Sequence, residues 1–375
     1  MGHRFLDDRT GTLDRPTVLV DPARARRNLE TMASRARKAG VRFRPHFKTH
    51  QSPDVGAWFR DAGVGAITVS SLETARCAAG DGWRDITVAF PFNLREAGDV
   101  KDLSTKVDLG MLVDGKEAVE ALEEAASSDL GLWIKVDAGY GRSGLRWDRP
   151  GKIASLARTV LASKRLRLEG LLTHSGHSYR ERGAAGVRRV HAESVARMNE
   201  LRNELDAEGI EGLEVSVGDT PTCSLAEDFT GVDEIRPGNF VFFDLMQREI
   251  GSCGDTDLAV AVAAPVVGKH EHPHRLVLYG GAVHLSKEAL RRDGRDVFGF
   301  LAFTSGRDLG VPDPAAPVVS LTQEHALVEA GENLLEEVNV GDMVLVFPVH
   351  ACLACNLHRS YRTVDGEVLR RWDGV

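Results

Sequence analysis

Short apolar runs alternate with amphipathic helical stretches over the first two-thirds of the chain. "TVLVD" (17–21) reads as a strand, and 22–40 as a helix with Pro22 at its start and Gly40 at its end, the usual placement of those residues. The alternation continues. "VRFRPH" (41–46) precedes the helical 52–63, "AITVSS" (66–71) precedes 72–82, and "DITVAF" (85–90) follows. "VDLGMLVDG" (107–115) precedes the helical 116–128, and "GLWIKVDAG" (131–139) precedes 150–163. "LRLEGLLTHSG" (166–176) precedes a long amphipathic helix at 186–209, and "LEVSVGD" (213–219) precedes "DEIRPGNFVFFD" (233–244). About eight strand–helix units predict a (β/α)8 TIM-type barrel over 17–254; a doubly wound sheet is the alternative and needs fewer units.

Beyond residue 254 the pattern changes. "LAVAVAAPVVGKH" (258–270), "HRLVLYGG" (274–281), "PVVSLTQEHALVEA" (317–330), "MVLVFPVH" (343–350) and "SYRTVDGEVLRRW" (360–372) read as strands with little helix between them. The expectation is an α/β fold: a barrel followed by a mostly β domain at 255–375, with 1–16 packed on the latter.

Composition narrows the partners. With 375 residues, 42% of them hydrophobic, the chain is long enough for a large core, and a net charge of -8 argues against nucleic acid or an anionic membrane as partner. No apolar run is long enough to span a membrane, and the first sixteen residues lack the apolar centre of a signal peptide. Five scattered cysteines suit a reducing cytoplasm.

The residues with chemistry fall at the ends of expected strands, which a barrel gathers on one face. Lys48 follows "VRFRPH", Arg142 follows "GLWIKVDAG", His174, His177 and Tyr179 follow "LEGLLT", Gly218, Asp219 and Thr220 follow "LEVSV", and Arg236 follows "DEI". Lys48 reads either as an ion-pair partner or as a Schiff-base lysine whose pKa is lowered by partial burial and neighbouring Arg and His. "VGDTPTCS" (217–224) reads as an ordinary turn or as a phosphate cradle. In "PVHACLACNLH" (348–358), His350 and Cys352 lie two apart and share one face if the segment is a strand. Imidazole plus thiolate suits zinc; the other reading is a buried free cysteine beside a structural histidine. Cys355 and His358 are further possible ligands. In "QEHALV" (323–328), Glu324 and His325 are expected on opposite strand faces, with His325 a candidate catalytic residue.

The segments "RPHFKTH", "VDAGYGRSG", "THSGHSY", "VSVGDTPT", "EIRPGNFVFFDLMQ", "QEH" and "PVHACLAC" occur in that order between residues 17 and 358. Together they resemble fold-type III pyridoxal phosphate enzymes, the alanine-racemase-like barrel family. Within it they resemble the branch of D-serine dehydratases, D-threonine aldolases and D-threo-3-hydroxyaspartate dehydratases. The resemblance implies pyridoxal 5'-phosphate on Lys48, Arg142 near its phenolic oxygen and Arg236 facing its ring nitrogen. It implies His174, Tyr179 and the turn Gly218-Asp219-Thr220 around ring and phosphate, and Zn2+ or another divalent cation on His350 and Cys352. It also implies a homodimer. One departure stands out: the family turn is usually Gly-Ser-Thr, and here a carboxylate, Asp219, occupies the middle position. Beside a phosphate it would be repelled unless it points away or caps a neighbouring N–H.

The activity so implied is a lyase acting on a D-3-hydroxyamino acid, with β-elimination to a 2-oxo acid and ammonia. The family's aldolases tend to carry His-x-Asp where this chain has His350-x-Cys352, which favours dehydratase over retro-aldol cleavage. A racemase needs a second acid/base, for which Tyr279 and Tyr361 are the tyrosines in the C-terminal region. A non-catalytic pyridoxal phosphate carrier would lack residues 255–375.

Overall fold

The computed structural model describes residues 13–303 and 308–374. The chain forms two compact units. One comprises the described residues up to Glu30 with Asn239–Arg371; the other comprises Thr31–Gly238 and the tail from Trp372. The expectation for 1–16 falls mostly on residues outside the described ones.

The first strand, β1 (Thr17–Val20), is not part of the barrel. The barrel strands are β2 (Arg42–Phe43), β3 (Ala66–Val69), β4 (Asp85–Pro91), β5 (Asp108–Val113) and β6 (Leu130–Asp137), then, past the two-residue β7 (Leu145–Arg146), β8 (Leu166–Leu172), β9 (Glu214–Val217) and β10 (Glu234–Ile235). They run parallel in the order β2-β10-β9-β8-β6-β5-β4-β3. A parallel bridge from His46 to Thr68 brings the two ends together, with Phe47 N–H donating to Thr68 O at 2.8 Å. Parallel strands walled by helices are apolar on both faces, and Ile67, Ile86, Leu109, Val113, Leu130 and Ile134 are fully buried. At one end of the barrel, Arg44 Nε donates to Glu234 Oε2 at 2.6 Å and Arg44 also pairs with Asp85, so the fully buried Glu234 carboxylate is neutralised.

The second unit is built on β11 (Val260–Glu271), β12 (His274–Tyr279), the hairpin β13 (Leu290–Arg292) and β14 (Arg295–Val297), β15 (Gly299–Phe303), β16 (Val311–Leu321), β17 (His325–Glu329), β18 (Met343–Pro348), β19 (Ser360–Thr363) and β20 (Val368–Arg370). The sheet order β12-β17-β16-β15-β18-β11 closes on itself through β11–β12, and β1, β19 and β20 continue from β11.

Two expectations are corrected. β1 pairs antiparallel with β11, Val18 opposite Val262, and parallel with β19, Val18 opposite Tyr361; a four-residue apolar run before a helix has the local pattern of a barrel unit, and only its distant partners distinguish it. The eighth barrel strand is instead the two-residue Glu234–Ile235. The units also divide at Gly238, ahead of the expected boundary at 254, because the segment after Asn239 is tied to the strand-rich unit: Ala259 N–H donates to Phe242 O at 2.7 Å and Met246 N–H to Val349 O at 3.1 Å.

Candidate active site

Within the barrel unit, a cavity of about 440 Å³ is lined by His46, Lys48, Lys135, Arg142, His174 and Arg236, together with Ser70, Ser143 and the apolar Phe90, Pro91, Leu112 and Leu172. No carboxylate lines it. A larger groove, about 660 Å³, lies on the helical shell by Lys101, Glu124 and Arg165; its charges are mixed and solvent-facing.

Lys48 sits in a turn beyond β2 and not on the strand itself. The turn is anchored by its predecessor. Phe47 is fully buried, edge-on to Trp83 at 5.1 Å, 4.8 Å from Phe59 and stacked on Trp372 at 6.2 Å between ring centres. The tail is held there by Trp372 N–H donating to Gln51 O at 2.8 Å. Phe47 thus fixes the backbone while the next side chain projects the other way. Lys48 is exposed, which corrects the expectation of partial burial.

The lysine with a displaced pKa is Lys135, which the sequence reading missed. It lies on β6 with its Nζ donating to Val136 O at 2.8 Å, and burial, reinforced by the Arg236 and Arg142 charges, lowers its pKa to about 7. One signal was available: a lysine inside the otherwise apolar run "GLWIKV" must either leave the strand face or enter the barrel.

The two cavity histidines are held neutral. His46 Nδ1 accepts from Lys48 N–H at 3.3 Å, and burial, then the Lys48 and Arg236 charges, drives its pKa well below the ordinary range. His174 Nδ1 lies 2.6 Å from Gly218 O and so carries the proton as donor; burial first, then Lys48 and Arg142, depresses it likewise. Tyr179 follows in a 3-10 turn, its ring 6.5 Å from that of His174.

Arg142 is set by the turn after β6. Asp137 Oδ1 accepts the N–H groups of Gly139 and Gly141, each at 3.0 Å, and the Arg142 guanidinium lies 5.2 Å from the Tyr140 ring centre. Gly144 ends this turn at φ +98°, where a Cβ would come within 2.7 Å of Lys135 O. Arg236 is buried and fixed: its Nε donates to Ser216 Oγ at 2.7 Å and its Nη2 to Thr173 O at 2.5 Å. Ser216 Oγ in turn donates to Glu234 Oε1 at 2.7 Å. Burial lowers the Arg236 pKa to about 10, against the Glu234 charge; at neutral pH it is a cation.

Asp219 does not offer its side chain to an anion. It caps the short helix Thr220–Leu225, accepting from Thr222 N–H at 2.8 Å, Thr222 Oγ1 at 2.7 Å and Ser178 Oγ at 2.9 Å. Its assignment as a cofactor-binding side chain is thereby corrected, and burial raises its pKa to about 6. Its neighbours remain suitable. Thr220 Oγ1 is buried without a hydrogen-bond partner, and a Cβ on Gly218 would meet Arg236 Cβ at 2.8 Å. An exposed amine in a cationic cavity and an orphaned buried hydroxyl in the neighbouring turn fit pyridoxal phosphate, while Gly218 is required by the close packing of Arg236 against it.

His350 and Cys352, the expected metal ligands, lie in the strand-rich unit and not on a strand. β18 ends at Pro348, His350 is the N-cap of the helix Ala351–Asn356, and Cys352 is in its first turn. The alternation argument for a shared face therefore does not apply, yet the two side chains are within hydrogen-bonding reach of each other. Burial opposes charge on His350, but the hydrogen bond and charge of Cys352, with Asp244 and Glu288, outweigh it and raise the pKa to about 9. The imidazole makes no capping bond. A thiol and an imidazole already within hydrogen-bonding reach of each other are a donor pair that fits a borderline-soft divalent cation.

The further expected ligands are engaged elsewhere. Cys355 is fully buried, hydrogen-bonded to Tyr361, and its thiol pKa is pushed up by burial. His358 Nε2 bonds His284 O at 3.0 Å, and burial lowers its pKa to about 4. Among the described residues, no group of three or more His, Cys, Asp and Glu side chains converges as a metal cage. His325 is exposed at the start of β17, opposite Tyr279. Glu324 lies in the preceding turn, not on the opposite face of a strand. Tyr361 is buried with its pKa driven well above the ordinary value by burial, so it is no accessible acid/base.

Comparison with known proteins covers both units. Residues 20–245 match the family model "Alanine racemase, N-terminal domain" and 259–364 match "Putative serine dehydratase domain". The D-threo-3-hydroxyaspartate dehydratase of a Delftia species is 30% identical, over 98% of this chain and 99% of its own. A solved structure of a cysteine-to-alanine mutant of a D-threo-3-hydroxyaspartate dehydratase, in the metal-free form, superposes with a TM-score of 0.89, at 30% identity over 98% of this chain and 100% of that one. The D-serine dehydratase of Dictyostelium discoideum is 25% identical over 96% of each chain. A 3-hydroxy-D-aspartate aldolase of Paracoccus denitrificans is 25% identical over 95% of this chain and 90% of its own.

Proposed function

Because the chain belongs to the family of the alanine racemase N-terminal domain, we propose that it is a lyase dependent on pyridoxal phosphate and a divalent cation. It eliminates the β-hydroxyl of a D-3-hydroxyamino acid as water, and hydrolysis of the resulting 2-imino acid takes up a water to give a 2-oxo acid and ammonia. The observation that carries this is the exposed Lys48 amine in a cavity lined by Arg142, Arg236 and two neutral histidines, and by no carboxylate. The end-to-end likeness to the Delftia dehydratase supports the choice of reaction.

When bound, pyridoxal phosphate supplies an aldehyde for the substrate amine and a ring that withdraws electrons from Cα; a cation on His350 and Cys352 supplies a Lewis acid for the β-hydroxyl. Lys48 Nζ removes the α-proton. The Thr220 hydroxyl and the backbone at Gly218 hold the phosphate, with Asp219 shaping their turn from behind. Arg236, locked by Ser216 and Thr173, presents fixed positive charge and offers the ring nitrogen no carboxylate. Arg142 would orient the ring by its positive charge, and Leu112, Leu172 and Pro91 line the cavity and would exclude water. The resemblance further implies a homodimer, and light scattering gives the mass that tests it; the five cysteines, none of them in a disulfide, suit a reducing compartment.

D-threo-3-hydroxyaspartate separates the two lyase readings. The dehydratase releases oxaloacetate and ammonia. Glycine and glyoxylate would make the chain an aldolase, the reading that the Paracoccus relative favours.

A further inference from the structure

The His350–Cys352 pair is held by a small buried amide and carboxylate that the reading above does not use. Asp244 caps its own helix, Leu245–Ile250, by accepting from Gln247 N–H at 2.9 Å. Its other oxygen accepts from Ala351 N–H at 2.8 Å, between the two metal-pair residues. One carboxylate therefore satisfies the start of two helices. The second of these has His350 at its N-cap, where a side chain would ordinarily bond the helix N–H groups. Asp244 takes over that task and leaves the imidazole free of capping, within hydrogen-bonding reach of Cys352.

The same Asp244 oxygen accepts from Asn239 Nδ2 at 2.5 Å, and Asn239 Nδ2 also lies 3.5 Å from Cys352 Sγ. Both amide hydrogens of Asn239 are thus spent, one on the carboxylate and one on the sulfur. Its Oδ1 is buried with no partner, and the residue is only 3% exposed. An orphaned buried oxygen costs about 1–3 kcal/mol, a cost that an apolar side chain of similar size would not carry. Local stability therefore does not explain an asparagine here, whereas its N–H pointing at a thiolate does.

We propose that Asn239, clamped by Asp244, is a positioning residue for the Cys352 thiolate: it donates a hydrogen bond to Sγ, fixes the direction of the sulfur lone pair and withdraws charge from it. The inference rests on the reading that His350 and Cys352 hold a divalent cation. A sulfur that shares its charge with an amide N–H donates less to the cation, which then remains the stronger Lewis acid. Outer hydrogen bonds of this kind commonly change metal affinity by about 10- to 100-fold.

The test uses the full-length protein loaded with Co2+, whose bond to a thiolate gives a sulfur-to-metal charge-transfer band in the near ultraviolet. Asn239→Leu should move that band to lower energy, because the sulfur regains charge, and should raise the Co2+ dissociation constant about tenfold or more, because losing the sulfur's fixed position outweighs its stronger donation. Asn239→Ser, too short to reach Sγ, gives the same two changes and decides the matter if the leucine variant does not fold. A band and a dissociation constant unchanged from the wild-type protein would overturn the proposal. A wild-type protein with no thiolate band, or one whose band survives in Cys352→Ala, would overturn the metal-pair reading itself, which separates the two failures.

Discussion

At the residue scale, the two lysines of the cavity divide accessibility from basicity. Lys48 is exposed and follows a buried phenylalanine; Lys135 is buried with its pKa lowered to about 7. In the unfolded chain Lys135 titrates near 10.5, so between about pH 7 and 10.5 the unfolded state binds the extra proton and stability rises with pH. Lys135→Met should flatten that rise in urea unfolding measured at pH 7 and pH 10, and an unchanged slope would contradict the assignment. Asp219 runs the other way. With a folded pKa of about 6 against 3.8, its ionisation costs stability as pH climbs through that window. Asp219→Asn keeps a capping oxygen and should change stability by less than about 1 kcal/mol at pH 7, whereas Asp219→Ala should lose about 1–2 kcal/mol. Equal losses in denaturant melts would show that the charge and not the cap matters. Sequence exposed these residues unevenly. Lys48 stood out within a dense polar motif, while Lys135 was hidden in a run whose other members are apolar. The carboxylate of Asp219 looked out of place until its three donors were visible.

At the element scale, strand order was legible only where local pattern and partner agreed. The barrel strands β3 to β6, β8 and β9 announce themselves as apolar runs before helices. β1 has the same signature and pairs elsewhere, because a strand's neighbours are set by register with residues more than 200 positions away. β2 lies within the run "VRFRPH" that reads as a strand, whereas β10, only two residues, carries too short a pattern to be read. Their side chains explain how such short strands hold: Arg44 and Arg42 of the first segment meet Glu234 of the second. Glu234→Gln leaves Arg44 and Arg236 without that buried counter-charge and should cost about 3–5 kcal/mol in denaturant unfolding. A loss below about 1 kcal/mol would show that Asp85 and Ser216 suffice. The closeness of His350 and Cys352 was expected for another reason: an alternating strand was expected, and a helix start delivers the same two side chains to one another.

At the scale of the whole molecule, Lys48, the amine proposed to bind the cofactor, and His350–Cys352, the pair proposed to bind the cation, belong to different compact units. Removal of one group should therefore leave the other in place. Exhaustive chelation is expected to abolish elimination while preserving the visible absorption of the cofactor on Lys48, and Zn2+ should restore turnover. Full activity after chelation, or bleaching of the cofactor with the metal, would contradict that independence. The change from alternating strands and helices to a strand-rich stretch with short helices was plain in the sequence. The exact cut was not, since the hydrogen bonds that carry Asn239–Ile250 to the strand-rich unit leave no periodic trace.

The most direct test of the account is borohydride reduction of the protein loaded with pyridoxal phosphate, followed by peptide mass mapping. The cavity holds two amines, and the account places the cofactor on the exposed one. A pyridoxyl group on Lys48 with none on Lys135 is the predicted result. A label on Lys135, or on neither lysine, would contradict it.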